Sequence, residues 1–121
     1  MKVAISTSGR DLECEVHQRF GRTPWMLYVD TTNKVEPEAV SSGDHAGADQ
    51  GVGIQTAREV VAHGAQILLT GHCGPRAYEV LKSAGVYVYT GVEGTAADAL
   101  AWLAGGYLVP TGKADRAEHW S

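Results

Sequence analysis

The sequence predicts an α/β domain with a mixed five-stranded sheet and three helices. Two observations carry this. From about residue 54 onward, short β-rich apolar runs alternate with helix-period stripes that end in glycine, a pattern that calls for parallel strands and right-handed crossovers. Ahead of them, three short strands follow one another with only loops between, so strand two runs antiparallel in an otherwise parallel sheet.

The first strand is Lys2 to Thr7, ended by Ser8-Gly9. Residues 10–23 then form a loop longer than the usual connection, which favours a functional loop over a simple turn. Pro24 precedes the second strand, Trp25 to Asp30, and Thr31-Thr-Asn-Lys34 turns the chain into a third, Val35 to Ser41. Pro37 cannot donate to a ladder, so this third strand belongs at a sheet edge.

A glycine-rich loop follows, from Ser42 to Gly53. Ile54, Ala57, Val60 and Val61 stripe the first helix, closed by Gly64, and Gln66 to Thr70 is the fourth strand. Ala77, Val80, Leu81 and Ala84 stripe the second helix, which ends at Gly85 before the fifth strand, Val86 to Thr90. Thr95 caps a third helix carrying Ala96, Leu100 and Leu103, and Gly105-Gly106 stops it. Residues 1–109 are expected to form one domain, with a polar, loosely held tail over 110–121.

At 121 residues, with 20% charged and 44% apolar residues, the chain is large enough for one real core and too apolar for disorder. A net charge of −4 without a Lys/Arg block argues against nucleic acid as a partner. No stretch approaches the roughly 20 apolar residues that span a bilayer, and the apolar start is too short for a signal peptide. The expected setting is cytoplasmic, where Cys14 and Cys73 read as thiols or ligands rather than a disulfide.

Tracing strand directions brings the loops at 8–24, 42–53, 71–76 and 91–95 to one edge of the sheet, outside the carboxyl ends of its parallel strands, where open α/β sheets bind ligands. Arg10, Arg19, Arg22 and Arg76 all fall in these loops, and guanidinium forks suit anions with several acceptor atoms. Solvated surface, or pairing with Asp11, Glu13 and Glu15, is the plain alternative, above all for Arg10. In Thr70-Gly-His-Cys-Gly-Pro-Arg-Ala77 a strand enters a Gly-flanked turn and Pro75 starts a helix, which puts backbone N–H groups, His72, Cys73 and Arg76 together.

The glycines there serve ordinary turns or close approach to a ligand, and no dinucleotide or phosphate-loop fingerprint follows the first strand. Cys14-x-x-His17 and His72-Cys73 contain soft ligands that suit copper, zinc or thiometallates, although the spacing is poor for a closed zinc site. His45 sits in the glycine-rich loop, within reach of the same edge. His63 ends a helix, where its charge suits the dipole. Nucleophilic catalysis by Cys73 lacks an evident third orienting group, and clustered strand carboxylates for a metal-dependent nuclease are missing.

Met1-Lys-Val-Ala-Ile-Ser-Thr-Ser-Gly9, Arg19-Phe-Gly-Arg22, Gly51-Val-Gly-Ile54, Thr70-Gly-x-Cys-Gly-Pro-x-Ala77 and Val88-Tyr-Thr-Gly91 resemble the dinitrogenase iron–molybdenum cofactor biosynthesis family. The resemblance runs in order over roughly residues 1–108. It implies a ribonuclease-H-like fold with strand order 3-2-1-4-5. It also implies a carrier of iron–molybdenum cofactor or its precursors, with a protein partner for delivery. One branch, the orange proteins, holds a mixed molybdenum–copper sulfide cluster without covalent attachment.

Family carriers often have His-Phe-Gly in the first loop; here Arg19-Phe20-Gly21 stands at that place, with His17 two residues earlier. This departure favours holding an anion over direct ligation. The resemblance then implies a site made of His17, Arg19, Phe20, Gly21, Arg22, His45, Gly51, Gly53, His72, Cys73, Gly74 and Arg76, with Cys14 and Cys73 as copper ligands. The leading expectation is a non-enzymatic binder of an anionic molybdenum-containing metal–sulfur cluster. The alternatives are a thiol-dependent enzyme or metallochaperone using Cys73, and an interaction module without cofactor.

Overall fold

β1 (Lys2–Thr7) lies at the centre of the sheet because Val3, Ala4 and Ile5 are apolar on both faces and wholly buried. In the computed structural model, which describes residues 1–32, 36–42 and 52–111, β1 pairs antiparallel with β2 (Trp25–Asp30) and parallel with β4 (Ile67–Leu69). β3 (Glu38–Ser41) is antiparallel to β2 at one edge, and β5 (Tyr87–Tyr89) is parallel to β4 at the other. The order is β3-β2-β1-β4-β5, as expected for a mixed sheet with an antiparallel second strand.

The helices are α1 (Val52–Ala62), α2 (Pro75–Ser83) and α3 (Ala96–Ala104). The period-2 alternation of the strands divides the core into two layers. Ala4, Met26, Tyr28, Leu68 and Val88 pack with Ala57 and Val60 of α1 and with Ala77 and Leu81 of α2. Val3, Ile5, Leu27, Ile67 and Leu69 pack with Ala96 and Ala99 of α3. Each fully buried Leu or Ile contributes about 1.5–3 kcal/mol through area removed from water.

Six element boundaries differ from the expectation. β3 begins at Glu38 rather than Val35, since Pro37 offers no N–H to the ladder. α1 begins at Val52, so Gly53 is a buried residue of its first turn and not part of a loop. β4 and β5 are each shorter by one residue at both ends, although Gln66 O and Thr70 N still bond Tyr87 N and Tyr89 O.

Gly85, at φ +81°, ends α2 where a side chain would be strained. α3 starts in a capping box: Asp98 N–H donates to Thr95 Oγ1 and Thr95 N–H to the Asp98 carboxylate. His63, just past α1, stacks on Tyr28 at 4.3 Å, with Nδ1 2.8 Å from Glu59 O. Its role is packing against the sheet. Pro110 and Thr111 lie against β5, where Thr111 N–H donates to Val88 O at 2.7 Å. No helix among the described residues is long and apolar enough to cross a membrane.

Candidate functional site

The loop after β1 folds back over the sheet edge. Ser8 N–H donates to Glu15 O (3.0 Å), His17 N–H donates to Ser6 O (2.8 Å), and Thr7 bridges Val16. The chain then runs on to the segment that follows β4, where Arg19 pairs in parallel with His72 and Phe20 N–H donates to His72 O at 3.1 Å. A single 3-10 turn, Phe20–Arg22, follows. The Arg19–Arg22 segment and the turn that begins α2 are thus neighbours, although 50 or so residues separate them.

Beneath this junction lies a buried hydroxyl pair. Ser6 Oγ donates to His17 O (2.9 Å), and since a hydroxyl has one proton, Thr70 Oγ1 is the donor across the 2.7 Å contact to Ser6 Oγ. Gln18 straps the same loop from outside: its Nε2 donates to Val92 O at 3.1 Å and to Val16 O at 3.3 Å. These bonds tie the first loop to β1, to β4 and to the segment after β5.

The N-termini of α2 and α3, both at this edge, differ. At α3, Ala96 and Ala97 N–H groups donate to Cys14 O and Leu12 O, both at 2.9 Å, while the capping box takes a third amide. The first loop has filled that pole. α2 starts at Gly74 with an extended backbone, Pro75 in the first turn and no side-chain cap. Its positive pole points at the edge beside His72 and Arg19.

His17 is half-buried, and its Nδ1 is 3.0 Å from Arg19 O and 3.3 Å from Arg19 N. One tautomer donates to the carbonyl and the other accepts the amide, so in both cases Nε2 is the ring nitrogen turned to other partners. Arg19 and His72 are half-buried, while Arg22 and Arg76 are exposed. Arg10 takes another course: its guanidinium lies 5.3 Å over the Trp25 ring.

The expected residues divide accordingly. His17, Arg19, Gly21 and Arg22 lie on one, and His72, Gly74 and Arg76 on the other, of two backbone segments that meet at the Arg19–His72 pairing. Phe20 and Cys73 are each 1% exposed and sit below it in the α1/α2 layer, where they support rather than line the rim. Cys73 Sγ is 3.7 Å from Gly74 O. Cys14 stands apart: its Sγ is 3.5 Å from Asp11 Oδ1, in the loop whose carbonyls close α3. The two thiols therefore occupy different layers. Gly53 lies in α1, and His45 and Gly51 fall outside the described residues.

Among the described residues, no group of three or more His, Cys, Asp or Glu side chains is placed to hold a metal ion. The edge offers guanidinium groups, imidazoles and a helix pole instead, which is chemistry for an anion. Sequence reasoning missed Ser6 and Gln18. Hydroxyls closing an apolar strand (Ser6-Thr7) are the signal that marks a buried polar network at the strand end.

Fold and edge together define an open α/β domain with a cationic, imidazole-bearing rim at the carboxyl ends of its parallel strands. The chain belongs to the dinitrogenase iron–molybdenum cofactor family, whose model matches residues 1–106. Among solved structures it is similar to the apo form of the orange protein from Desulfovibrio gigas, at 29% identity and a TM-score of 0.91, covering 95% of this chain and 96% of that one. A candidate NifB protein from Thermotoga is 32% identical, with a TM-score of 0.80 over 95% of this chain and 97% of the other. A candidate dinitrogenase protein from Methanocaldococcus jannaschii shares the fold at 16% identity and a TM-score of 0.67, covering 93% and 96% of the two chains. No curated protein matches the sequence.

Proposed function

We propose that this protein binds and carries an anionic molybdenum-containing metal–sulfur cluster at the Arg19–Arg76 rim, as a holder rather than a catalyst. The observation that carries the reading is the Arg19–His72 pairing, which sets a guanidinium-bearing loop against the uncapped start of α2. A thiometallate bears several negative charges and presents sulfides that accept hydrogen bonds. Arg19, Arg22 and Arg76 offer the compensating charge and forked donors, and the first turn of α2 offers its pole. His17 Nε2 and His72 add donors, or nitrogen ligands for copper.

Family membership and the likeness to the orange protein support the same cargo. A molybdenum–copper sulfide cluster fits the donor set better than iron–molybdenum cofactor, because Arg19 stands where family carriers often have histidine. Charge compensation without covalent attachment is what such a rim supplies. The burial of Cys73 in the core disfavours a thiol-dependent enzyme centred on it.

The test is an anaerobic titration of the purified apoprotein with tetrathiomolybdate and copper. One saturable visible spectrum at a fixed metal-to-protein ratio is the expected result. Failure to take up colour overturns the reading. Elemental analysis of protein purified anaerobically from its native host then separates molybdenum–copper from iron–molybdenum cargo.

A further inference from the structure

β5 is a sheet edge of an adhesive kind. Val86-Tyr-Val-Tyr-Thr90 is uninterrupted by charge or proline and rich in β-branched and aromatic residues, the composition that pairs readily with another strand. The opposite edge, β3, is blunted by Pro37 and the exposed Glu38. β5 has neither device, and Tyr87 is 61% exposed on it.

Two of its outward hydrogen-bonding groups, Val88 C=O and Thr90 N–H, are met instead by Thr111. Thr111 N–H donates to Val88 O (2.7 Å), Thr90 N–H donates to Thr111 Oγ1 (3.0 Å), and the two threonine hydroxyls are 2.7 Å apart. Tyr78 O–H, from α2, donates to Thr111 O at 3.0 Å. One residue thus spends its amide and hydroxyl on closing the edge and is anchored to α2 through its carbonyl. Pro110, next to it, has no N–H, so at that position the strap offers no donor to a further strand.

We propose that Pro110–Thr111 is an edge guard that keeps a second copy of this chain from pairing along β5. With the strap displaced, two copies join β5 to β5, antiparallel about a two-fold axis, into one continuous sheet. The self-complementary geometry follows from the symmetry: Val88 C=O and Thr90 N–H on one edge meet the same groups on the other.

The full chain carrying Thr111→Pro, which loses both the amide proton and the hydroxyl, tests this by sedimentation velocity over a wide concentration range. The expected result is a concentration-dependent rise to about twofold the wild-type mass, reversed by adding Tyr87→Lys, which charges the edge. Thr111→Ala keeps the amide and serves where the proline variant fails to fold. It should show faster amide exchange at Thr90 and a weaker rise in mass. The proposal is overturned if either folded variant keeps the wild-type mass while its Thr90 amide exchanges faster, or if the rise persists with Tyr87→Lys present.

Discussion

Gln18 crosses directly over Gly71. A Cβ built on Gly71 would lie 2.5 Å from Gln18 Cα and 2.6 Å from Gln18 O, so the first loop and the turn after β4 touch backbone to backbone. Gly71 O also accepts from Gly91 N at 2.6 Å, which puts this glycine between the two segments that flank it. The rim exists because a residue without a side chain lets them close.

Gly71→Ala is therefore expected to push the first loop away. The clash is with backbone, which has no rotamer to give, and overpacking of this kind costs about 1–3 kcal/mol. Urea denaturation should show the loss of stability, and thiometallate uptake should fall with it. Wild-type stability and uptake in the alanine variant would show that the close approach is not needed.

Arg19→Ala and Arg76→Ala should each weaken thiometallate binding roughly tenfold, the loss expected for a hydrogen bond to a charged group. Arg10→Ala should leave the affinity unchanged, because that guanidinium lies over Trp25. Optical titration of the three variants checks the contrast. Equal losses at all three would indicate diffuse attraction to positive charge and no defined rim.

The two thiols should separate by reactivity. Cys14 is half-exposed, while Cys73 is 1% exposed among apolar side chains. A chromogenic disulfide reagent should label one thiol quickly in the folded protein and the second only on unfolding. Fast labelling in Cys14→Ser would contradict the buried placement of Cys73.

Tyr28 carries a pH prediction. Burial, aided by the nearby Glu59 and Glu38 carboxylates, pushes its phenol well above the usual tyrosine range. The folded protein keeps that proton where an unfolded chain loses it near a pKa of about 10. Stability from this residue is whole below that pH and declines as the pH rises past it. Denaturation midpoints in Tyr28→Phe should lack that share of the alkaline decline.

The Thr95 cap offers a measure of α3 alone. Thr95→Ala removes the acceptor for Asp98 N–H and should cost about 1 kcal/mol. Restoration by Thr95→Ser would assign the loss to the hydroxyl. A neutral alanine variant would mean that Cys14 O and Leu12 O, which hold the Ala96 and Ala97 amides, suffice to start the helix.

By itself, the sequence determined the elements and their directions. Apolar runs of strand length, helix-period stripes and glycine stops are local properties, so β1, β2, α2 and α3 were legible almost to the residue. The parallel alternation of the second half then forced the candidate loops to one edge. Tertiary structure alone decided which of those loops touch. The Arg19–His72 pairing, the Gln18–Gly71 contact and the filling of the α3 pole by Leu12 and Cys14 carbonyls all join residues far apart in the chain. Each depends on where backbone groups meet in space, and no spacing in the sequence encodes that. The thiols show the same limit: both belong to loops at one edge, yet the sheet between the layers sends Cys73 into the core with α1 and α2 and leaves Cys14 beside α3.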